Sequence, residues 1–247
     1  MNIKIFLLLL IFGAVAKVQA QMVTDRPDQT ESSSTVGRGN LQIESGLLMG
    51  FEGDKHFSTR QILAPTTLFR YGISEKIELR FVNQFESYKY RDEKIQGIGD
   101  IEIGAKIELN KSENPSVEMA FLSHLIIPSG SIEFTNHDYG VVNKFALSHD
   151  LNEKASLGYN VGYDYFGEGD GNLTYSAALG IGVTEKVGIY AEFYGDYAEF
   201  ETFNLNFDAG VTYLLNDHFQ LDFSFGNGVN NRMNYVSTGL SWLIGTN

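Results

Sequence analysis

The sequence predicts an all-β fold, a transmembrane antiparallel up-and-down β-barrel of about twelve strands. Three observations predict it: apolar and polar residues alternate with a period of two, short turns alternate with longer polar loops, and aromatic residues lie near strand ends. Transmembrane barrels show this pattern because one face of each strand meets lipid and the other face lines a polar lumen.

The first twenty residues have the pattern of an export signal. Lys4 precedes an apolar run from Ile5 to Ala16, and Val18-Gln19-Ala20 offers small residues to a signal peptidase. The run is shorter than the roughly 17–25 residues that a spanning helix needs. The sequence therefore predicts a signal peptide over residues 1–20, which is cleaved after Ala20, and an exported mature chain.

Residues 21–38 are predicted to form a periplasmic N-terminal leader before the barrel, which occupies residues 39–247. The leader carries four charged residues around Pro27, a composition that suits neither a strand nor a helix: Asp25, Arg26, Asp28 and Glu31. Two interpretations stay open. Either the leader is a strap in the periplasmic mouth of the barrel, with Arg26 paired to lumen carboxylates, or it is a solvated segment before the first strand.

The strands follow from the alternation, which is strict near the C-terminus. Phe219, Leu221, Phe223 and Phe225 alternate there with polar residues. Successive side chains of a strand face opposite ways, so such a segment has one apolar face and one polar face. The predicted strands are residues 40–51, 60–71, 76–90, 96–109, 116–128, 138–149, 154–166, 172–183, 186–197, 203–215, 218–227 and 233–244. Twelve is an even number, which places both chain ends in the periplasm.

The connections are of two kinds. Short turns, predicted at residues 73–77, 151–155, 183–187 and 215–219, place a small polar and an acidic residue between strands, and residues 110–115 form a longer example. Ser, Thr, Asn and Asp side chains bond to their own backbone in such turns. The longer polar loops are residues 52–58, 91–94, 129–137, 167–171, 198–201 and 227–232. Short periplasmic turns and longer outer loops are typical of outer-membrane barrels.

Aromatic residues near strand ends distinguish this barrel from a soluble one, which remains the alternative. A soluble barrel turns its apolar face inward, and its strands are usually about 5–6 residues long. The aromatic residues predicted to form girdles at the two membrane interfaces are Tyr88, Tyr90, Tyr163, Tyr165, Phe166, Tyr194, Tyr197, Tyr235 and Trp242.

The composition excludes several function classes. A formal net charge of −13 disfavours a nucleic-acid partner, and the absence of Cys excludes a thiol nucleophile and cysteine-ligated zinc. His124 and Ser123 are neighbours in one strand and face opposite ways, so they cannot form a nucleophile–base pair. We therefore expect no enzyme activity, no catalytic residue, no metal and no cofactor.

The polar face of the strands defines the predicted lumen. The lumen-lining residues selected as solute contacts are Arg70, Glu78, Arg80, Asp100, Glu102, Lys106, His124, Lys144, Glu192, Asp208 and Asp222; Glu44, Glu86, Glu118, Asp164 and Asp196 share the same face. Buried charges pair, since an unpaired one is costly. We expect the basic residues to neutralise part of an acidic wall. A net-negative lumen favours cations or neutral solutes over anions; alternatively, these groups only fill and rigidify the barrel.

Two segments resemble an outer-membrane family named for the meta pathway of phenol degradation. They are Thr24-Asp25-Arg26-Pro27-Asp28-Gln29-Thr30-Glu31-Ser32, with the residues that follow it to Glu44, and Gly97-Ile98-Gly99-Asp100-Ile101-Glu102-Ile103-Gly104-Ala105-Lys106. The resemblance covers essentially the whole mature chain. It implies a β-barrel with a role in outer-membrane transport, and it favours the strap over the solvated leader.

Together these features predict a passive channel or transporter for small solutes, with a narrow acidic lumen, in the outer membrane of a Gram-negative bacterium. The expected partners are outer-membrane lipid, the barrel-assembly machinery and a small-molecule solute. The alternative is a non-conducting structural or adhesion barrel. The short outer loops argue mildly against a large adhesive surface.

Overall fold

The computed structural model describes residues 22–53, 58–110 and 117–245. The predicted signal peptide lies outside these residues, as do position 21, most of the predicted 52–58 loop and most of the turn at 110–115. No helix in the described part of the chain is long and apolar enough to cross a membrane.

The described residues contain thirteen β-strand segments. In chain order they are β1 (Leu41–Gly53), β2 (Ser58–Gly72), β3 (Ile77–Tyr90), β4 (Glu93–Ile98), β5 (Ile101–Asn110), β6 (Glu118–Ile127), β7 (Gly140–Asn152), β8 (Ala155–Tyr165), β9 (Asn172–Gly182), β10 (Val187–Ala198), β11 (Thr202–Asn216), β12 (Phe219–Gly228) and β13 (Met233–Ile244).

Consecutive strands pair antiparallel, except that β4 and β5 do not pair with each other, and the sheet closes on itself. β1 pairs with both β2 and β13, so that Leu41 lies opposite Tyr71 on one side and Ile244 on the other. β4 and β5 both pair with β3, one with each half of it, and therefore occupy a single strand position. The result is a closed barrel of twelve strand positions, which confirms the predicted fold class.

The fourth strand position differs from the prediction of one continuous strand over residues 96–109. It is interrupted at Gly99 and Asp100. β6, which pairs with β5, ends at Ile127 before Pro128, a residue that has no N–H to donate to a strand partner. The following residues, 128–139, fold against β4 instead. The Ser131 N–H donates to the Ile98 carbonyl at 2.8 Å, and the Ile98 N–H donates to Ser131 Oγ at 3.0 Å.

The alternation along each strand separates lipid-facing from inward residues. In β12, Leu221, Phe223 and Phe225 are exposed, whereas Asp222 and Ser224 are buried. In a water-soluble protein such apolar side chains would be buried. Here they form the outer surface of the barrel, as is required of a wall that faces lipid. The polar face points inward, as predicted for a membrane barrel and opposite to a soluble one.

The short turns form the hydrogen bonds expected from their sequences. Ser74, Asn152, Thr184 and Asn216 each accept a bond from the backbone N–H two residues later, at 2.9 to 3.2 Å. These bonds satisfy backbone donors at the strand ends and fix the hairpin register.

Candidate functional site

Residues 22–38, called the strap below, run inside the barrel. Five backbone N–H groups along the strap donate to carboxylates or amides of the inner wall. Asp25 N donates to Glu44 on β1, Gln29 N to Glu192 on β10, Glu31 N to Asn160 on β8, Thr35 N to Glu108 on β5 and Val36 N to Glu78 on β3. These strands lie on different sides of the barrel, so the strap crosses the lumen. The wall carboxylates satisfy backbone donors that the strap cannot pair within itself.

Three buried basic residues surround the strap residue Asp25; Arg70, Arg80 and Lys106 are called the cationic centre below. The Asp25 carboxylate lies 3.3 Å from Arg70, 2.7 Å from Arg80 and 2.9 Å from Lys106. Arg80 also pairs with Glu31 of the strap at 2.8 Å. Bonds between ionised groups are stronger than neutral ones, so this cluster is the main attachment of the strap to the wall.

Wall carboxylates complete the neutralisation of the cationic centre. Arg70 donates to Glu44 and Glu78, both at 2.9 Å, and Arg80 donates to Glu78 at 2.9 Å. Arg80 Nε also lies 2.9 Å from His124 Nε2, and His124 Nδ1 lies 2.8 Å from Glu102. The three basic side chains are therefore engaged in ion pairs, with none of their charge directed at an open space.

A second attachment involves Arg26, which the sequence paired with lumen carboxylates. Its guanidinium donates to both carboxylate oxygens of Asp222, at 2.9 and 3.2 Å, and to Ser237 Oγ at 3.1 Å. Gly46 and Gly239 face each other across β1 and β13. A methyl group on either one would lie within 2.6 Å of the guanidinium, so the two glycines provide the space in which Arg26 lies.

The strap carboxyls Asp25 and Asp28 have opposite environments. Burial acts to raise the pKa of Asp25, but the charges of Arg70, Lys106 and Arg80 outweigh it and hold this pKa well below its ordinary value. Burial also acts on Asp28, and the negative charge of Glu192 adds to it, so the pKa of Asp28 lies well above its ordinary value. The surroundings of Asp25 therefore favour its charged form, whereas the surroundings of Asp28 favour its protonated, neutral form.

The wall facing Asp28 carries the acidic pair Glu192 and Asp208, which lie opposite each other on β10 and β11. Glu192 accepts bonds from the strap at Gln29 N and Thr30 Oγ1. Asp208 is fully buried and accepts a bond from the Tyr235 hydroxyl at 2.5 Å, while its Oδ1 atom has no hydrogen-bond partner.

Two residues predicted as solute contacts lie apart from the strap. Asp100 accepts backbone bonds from Ser129, Gly130 and Asn136, each at 2.9 Å, and so fixes the 128–139 loop. Lys144 is a half-buried residue of β7, opposite Leu122 of β6. The structure brings the other nine predicted lumen residues together in two groups. One group surrounds the cationic centre and Arg26, and the other is the acidic pair Glu192 and Asp208.

Some residues of the site differ from the sequence prediction. Tyr235 was predicted for a membrane-interface girdle, but it is 6% exposed and points into the lumen. The hydrogen bond to Asp208 requires the ring of Tyr235 to point inward. The alternation of the strand predicts the same orientation, because Tyr235 shares its face with Ser237 and Ser241. Glu108, which binds Thr35, was not selected, although it follows Lys106 by two positions and shares its face.

A cavity of about 200 Å³ lies at the loop side of the strap. Its wall is mainly apolar and aromatic, and the strap residue Gln29 contributes to it. The wall residues that matter below are Leu48, Glu52, Leu63, Tyr88, Tyr194 and Tyr235. Tyr88 and Tyr194, like Tyr235, were predicted for the girdles, and they line this inner space instead. Among the described residues, no group of three or more His, Asp or Glu side chains is arranged to hold a metal ion.

Similar structures have the same fold. The KdgM porin, solved in complex with disordered oligogalacturonate, is 10% identical and matches with a TM-score of 0.55 over 81% of this chain and 98% of its own. The NanC porin is also 10% identical and matches with a TM-score of 0.50 over 80% of this chain and 98% of its own. No curated protein sequence matches the chain at a significant level.

A family model matches nearly the whole barrel together with the strap, over residues 24–244. The match includes the Asp25 and Arg26 attachments and the cationic centre. The chain therefore belongs to the family described as "Putative MetA-pathway of phenol degradation".

Proposed function

We propose that the protein is a passive channel for small solutes in the outer membrane and that the strap narrows its lumen. The observation that carries this proposal is a polar, cavity-containing interior enclosed by an apolar outer wall. A barrel that only anchored a surface structure would gain nothing from a cavity open toward the loops. The two porins of similar fold support a channel at the level of architecture.

We propose further that the lumen is acidic and selects against anions. The cationic centre is neutralised by Asp25, Glu31, Glu44 and Glu78. The acidic pair Glu192 and Asp208, by contrast, has neutral hydrogen-bond partners. Two buried carboxyls that face each other share a proton, so the pair together with Glu52 at the cavity leaves a reduced but still negative charge on this side of the lumen. This charge disfavours anions inside a low-dielectric pore.

The ionic attachment of the strap favours a second candidate, a non-conducting structural barrel. Asp25 and Arg26 hold the strap across the lumen by buried ion pairs. If these pairs persist in the membrane, the lumen stays closed to solutes.

The proposed exported form requires cleavage of the signal peptide and insertion by the barrel-assembly machinery, with outer-membrane lipid around the apolar wall.

Planar-bilayer recordings of the full mature chain test both candidates. Under a KCl gradient we expect a small conductance with a reversal potential on the cation-selective side. Glu102→Gln removes a partly exposed lumen carboxylate and is expected to reduce this selectivity. The matched variant Glu185→Gln changes the same group in a turn between β9 and β10 and is expected to leave it unchanged.

Liposome swelling gives the solute range. A panel of sugars, amino acids and aromatic acids is compared in vesicles that contain the same protein. We expect neutral and cationic members to enter faster than anionic members of equal size. Anion selectivity would contradict the acidic lumen, and the absence of both conductance and swelling would favour the structural barrel.

A further inference from the structure

The cavity above the strap combines aromatic rings with a negative surround. Tyr88, Tyr194 and Tyr235 contribute to its wall, and Leu48 and Leu63 add apolar surface. Such a wall disfavours strongly hydrated ions but accepts an organic group of a few carbon atoms. Its volume of about 200 Å³ fits a molecule of one ring or its equivalent.

Acidic groups line the cavity and lie behind its wall. Among the described residues that line it, Glu52 is the charged one. Behind Tyr235 lies Asp208, whose Oδ1 atom is buried without a hydrogen-bond partner. Glu192, which binds the backbone of the cavity residue Gln29, lies opposite Asp208. Two buried acidic groups that face each other without a cation between them are costly, and a positive ligand nearby lowers that cost.

The basic side chains of the cationic centre lie elsewhere and are already paired. Arg70, Arg80 and Lys106 bind Asp25 and the wall carboxylates on the other side of the strap. They therefore do not neutralise the field at the cavity. Aromatic faces attract a cation through the ring quadrupole, and most strongly an organic ammonium group that is weakly hydrated.

We infer that this cavity is a binding site for a small organic ammonium ion, with the tyrosine rings around the cationic group. The carboxylate of Glu52 and the negative charge shared by Glu192 and Asp208 supply the field. The inference rests on the proposed function only in placing the site on a solute path. Because the strap residue Gln29 contributes to the cavity, a bound ligand lies against the strap.

Equilibrium dialysis of the full mature chain in zwitterionic phosphatidylcholine nanodiscs tests the site. The probes are benzylammonium, benzyl alcohol and benzoate, which share one ring and differ in charge; protein-free nanodiscs correct for partition into lipid. We expect benzylammonium to bind about tenfold more tightly than benzyl alcohol, with benzoate weakest. Equal affinity for benzylammonium and benzyl alcohol would overturn the inference.

Two variants connect the preference to the named residues. Tyr194→Leu removes an aromatic face and keeps a smaller apolar side chain, and Glu52→Gln removes a carboxylate from an exposed strand end. Each variant is expected to weaken the binding of benzylammonium by about threefold to tenfold and to leave the affinity for benzyl alcohol nearly unchanged. Glu153→Gln, in the turn between β7 and β8, is the matched control. If Glu52→Gln behaves like this control and Tyr194→Leu affects both probes equally, the inference is wrong.

Conductance separates this inference from the proposed function. Selective binding of benzylammonium without any conductance would uphold the site and contradict the channel. Conductance without selective binding would uphold the channel and overturn the site. Heat-modifiable migration on gels confirms that each variant is folded.

Discussion

The Asp25 carboxylate of the strap accepts a hydrogen bond from the Arg80 guanidinium at 2.7 Å, although the two residues are separated by 55 positions in the sequence. Arg70 and Lys106 approach the same carboxylate from neighbouring strands. One acidic side chain therefore satisfies three buried cations that belong to three adjacent strands of the wall. This relationship makes the strap a component of the barrel interior, and it can be tested by changing the charge alone.

Asp25→Asn keeps the shape of the side chain and removes its charge. The cationic centre then loses its central partner, and an uncompensated buried charge costs about 3–5 kcal/mol. We expect the strap to detach much more often in a barrel that remains folded. Protease cleavage within residues 22–38, followed by mass spectrometry, should be faster in the variant, and its bilayer conductance should be higher.

Asp28→Asn is the matched control, with the same change three positions further along the strap. Asp28 faces the acidic Glu192 instead of a cation. Removing its charge relieves repulsion, so the strap should stay attached as firmly as before or more firmly. Equal acceleration of cleavage by both variants would contradict the role of the cationic centre.

The same two carboxyls predict how strap attachment depends on pH. The raised pKa of Asp28 means that attachment is stabilised while Asp28 is protonated and weakens as the pH rises through that pKa. The lowered pKa of Asp25 means that its contribution is present above the ordinary carboxyl pKa and is lost as the pH falls through the lowered value. Conductance should therefore be lowest at a pH between the pKa values of Asp25 and Asp28, and it should increase at lower and at higher pH.

Variants assign each side of this pH profile. Asp28→Asn should remove the increase in conductance on the alkaline side and leave the acidic side intact. Recordings over a pH series in symmetric salt measure both sides. A profile that is the same in wild type and Asp28→Asn would show that another group controls attachment.

Gly239→Ala tests the second attachment. The added methyl would lie about 2.5 Å from the Arg26 guanidinium, so Arg26 must move and lose its paired bonds to Asp222. Hydrogen bonds to charged groups contribute about 1.5–3 kcal/mol, and hydrogen exchange of the strap amides should accelerate accordingly. Gly182→Ala is the control, since its methyl meets the Lys154 carbonyl at an ordinary 3.7 Å. Equal exchange in the two variants would contradict this account.

The sequence predicts the barrel well because strand alternation is a local property. Asp208 and Asp222 fall on the inner face as soon as their strands are recognised, since the side-chain period is two. The same rule, applied from Ser237 backward, predicts that Tyr235 points inward. Its position near a strand end suggested a girdle residue instead, so this error came from giving position more weight than alternation.

Other features depend on contacts that no local pattern contains. The path of the strap follows from which wall carboxylates meet its N–H groups, and Glu192 lies 163 positions from Gln29. The interrupted strand position likewise binds the 128–139 loop at Asp100, and these residues lie about thirty positions apart. Such features require the closed barrel before they can be located.

Asp100→Asn tests the attachment of that loop to the interrupted strand. The carboxylate accepts three backbone N–H bonds from the loop, at Ser129, Gly130 and Asn136. An Asn side chain has one carbonyl oxygen in place of two charged ones, so it retains at most a part of these bonds. With a loss of about 1.5 kcal/mol or more, exchange of the amides in residues 128–139 should accelerate at least tenfold.

Hydrogen–deuterium exchange with mass spectrometry measures this loop directly, and Glu133→Gln supplies the control, because Glu133 is an exposed carboxylate in the same loop. The strap peptides should exchange at the wild-type rate in both variants, since Asp100 makes its bonds to the loop and Asp25 makes its bonds to the cationic centre. Faster exchange in the strap of Asp100→Asn would mean that the loop and the strap move together, whereas unchanged exchange in the loop would remove Asp100 as its attachment.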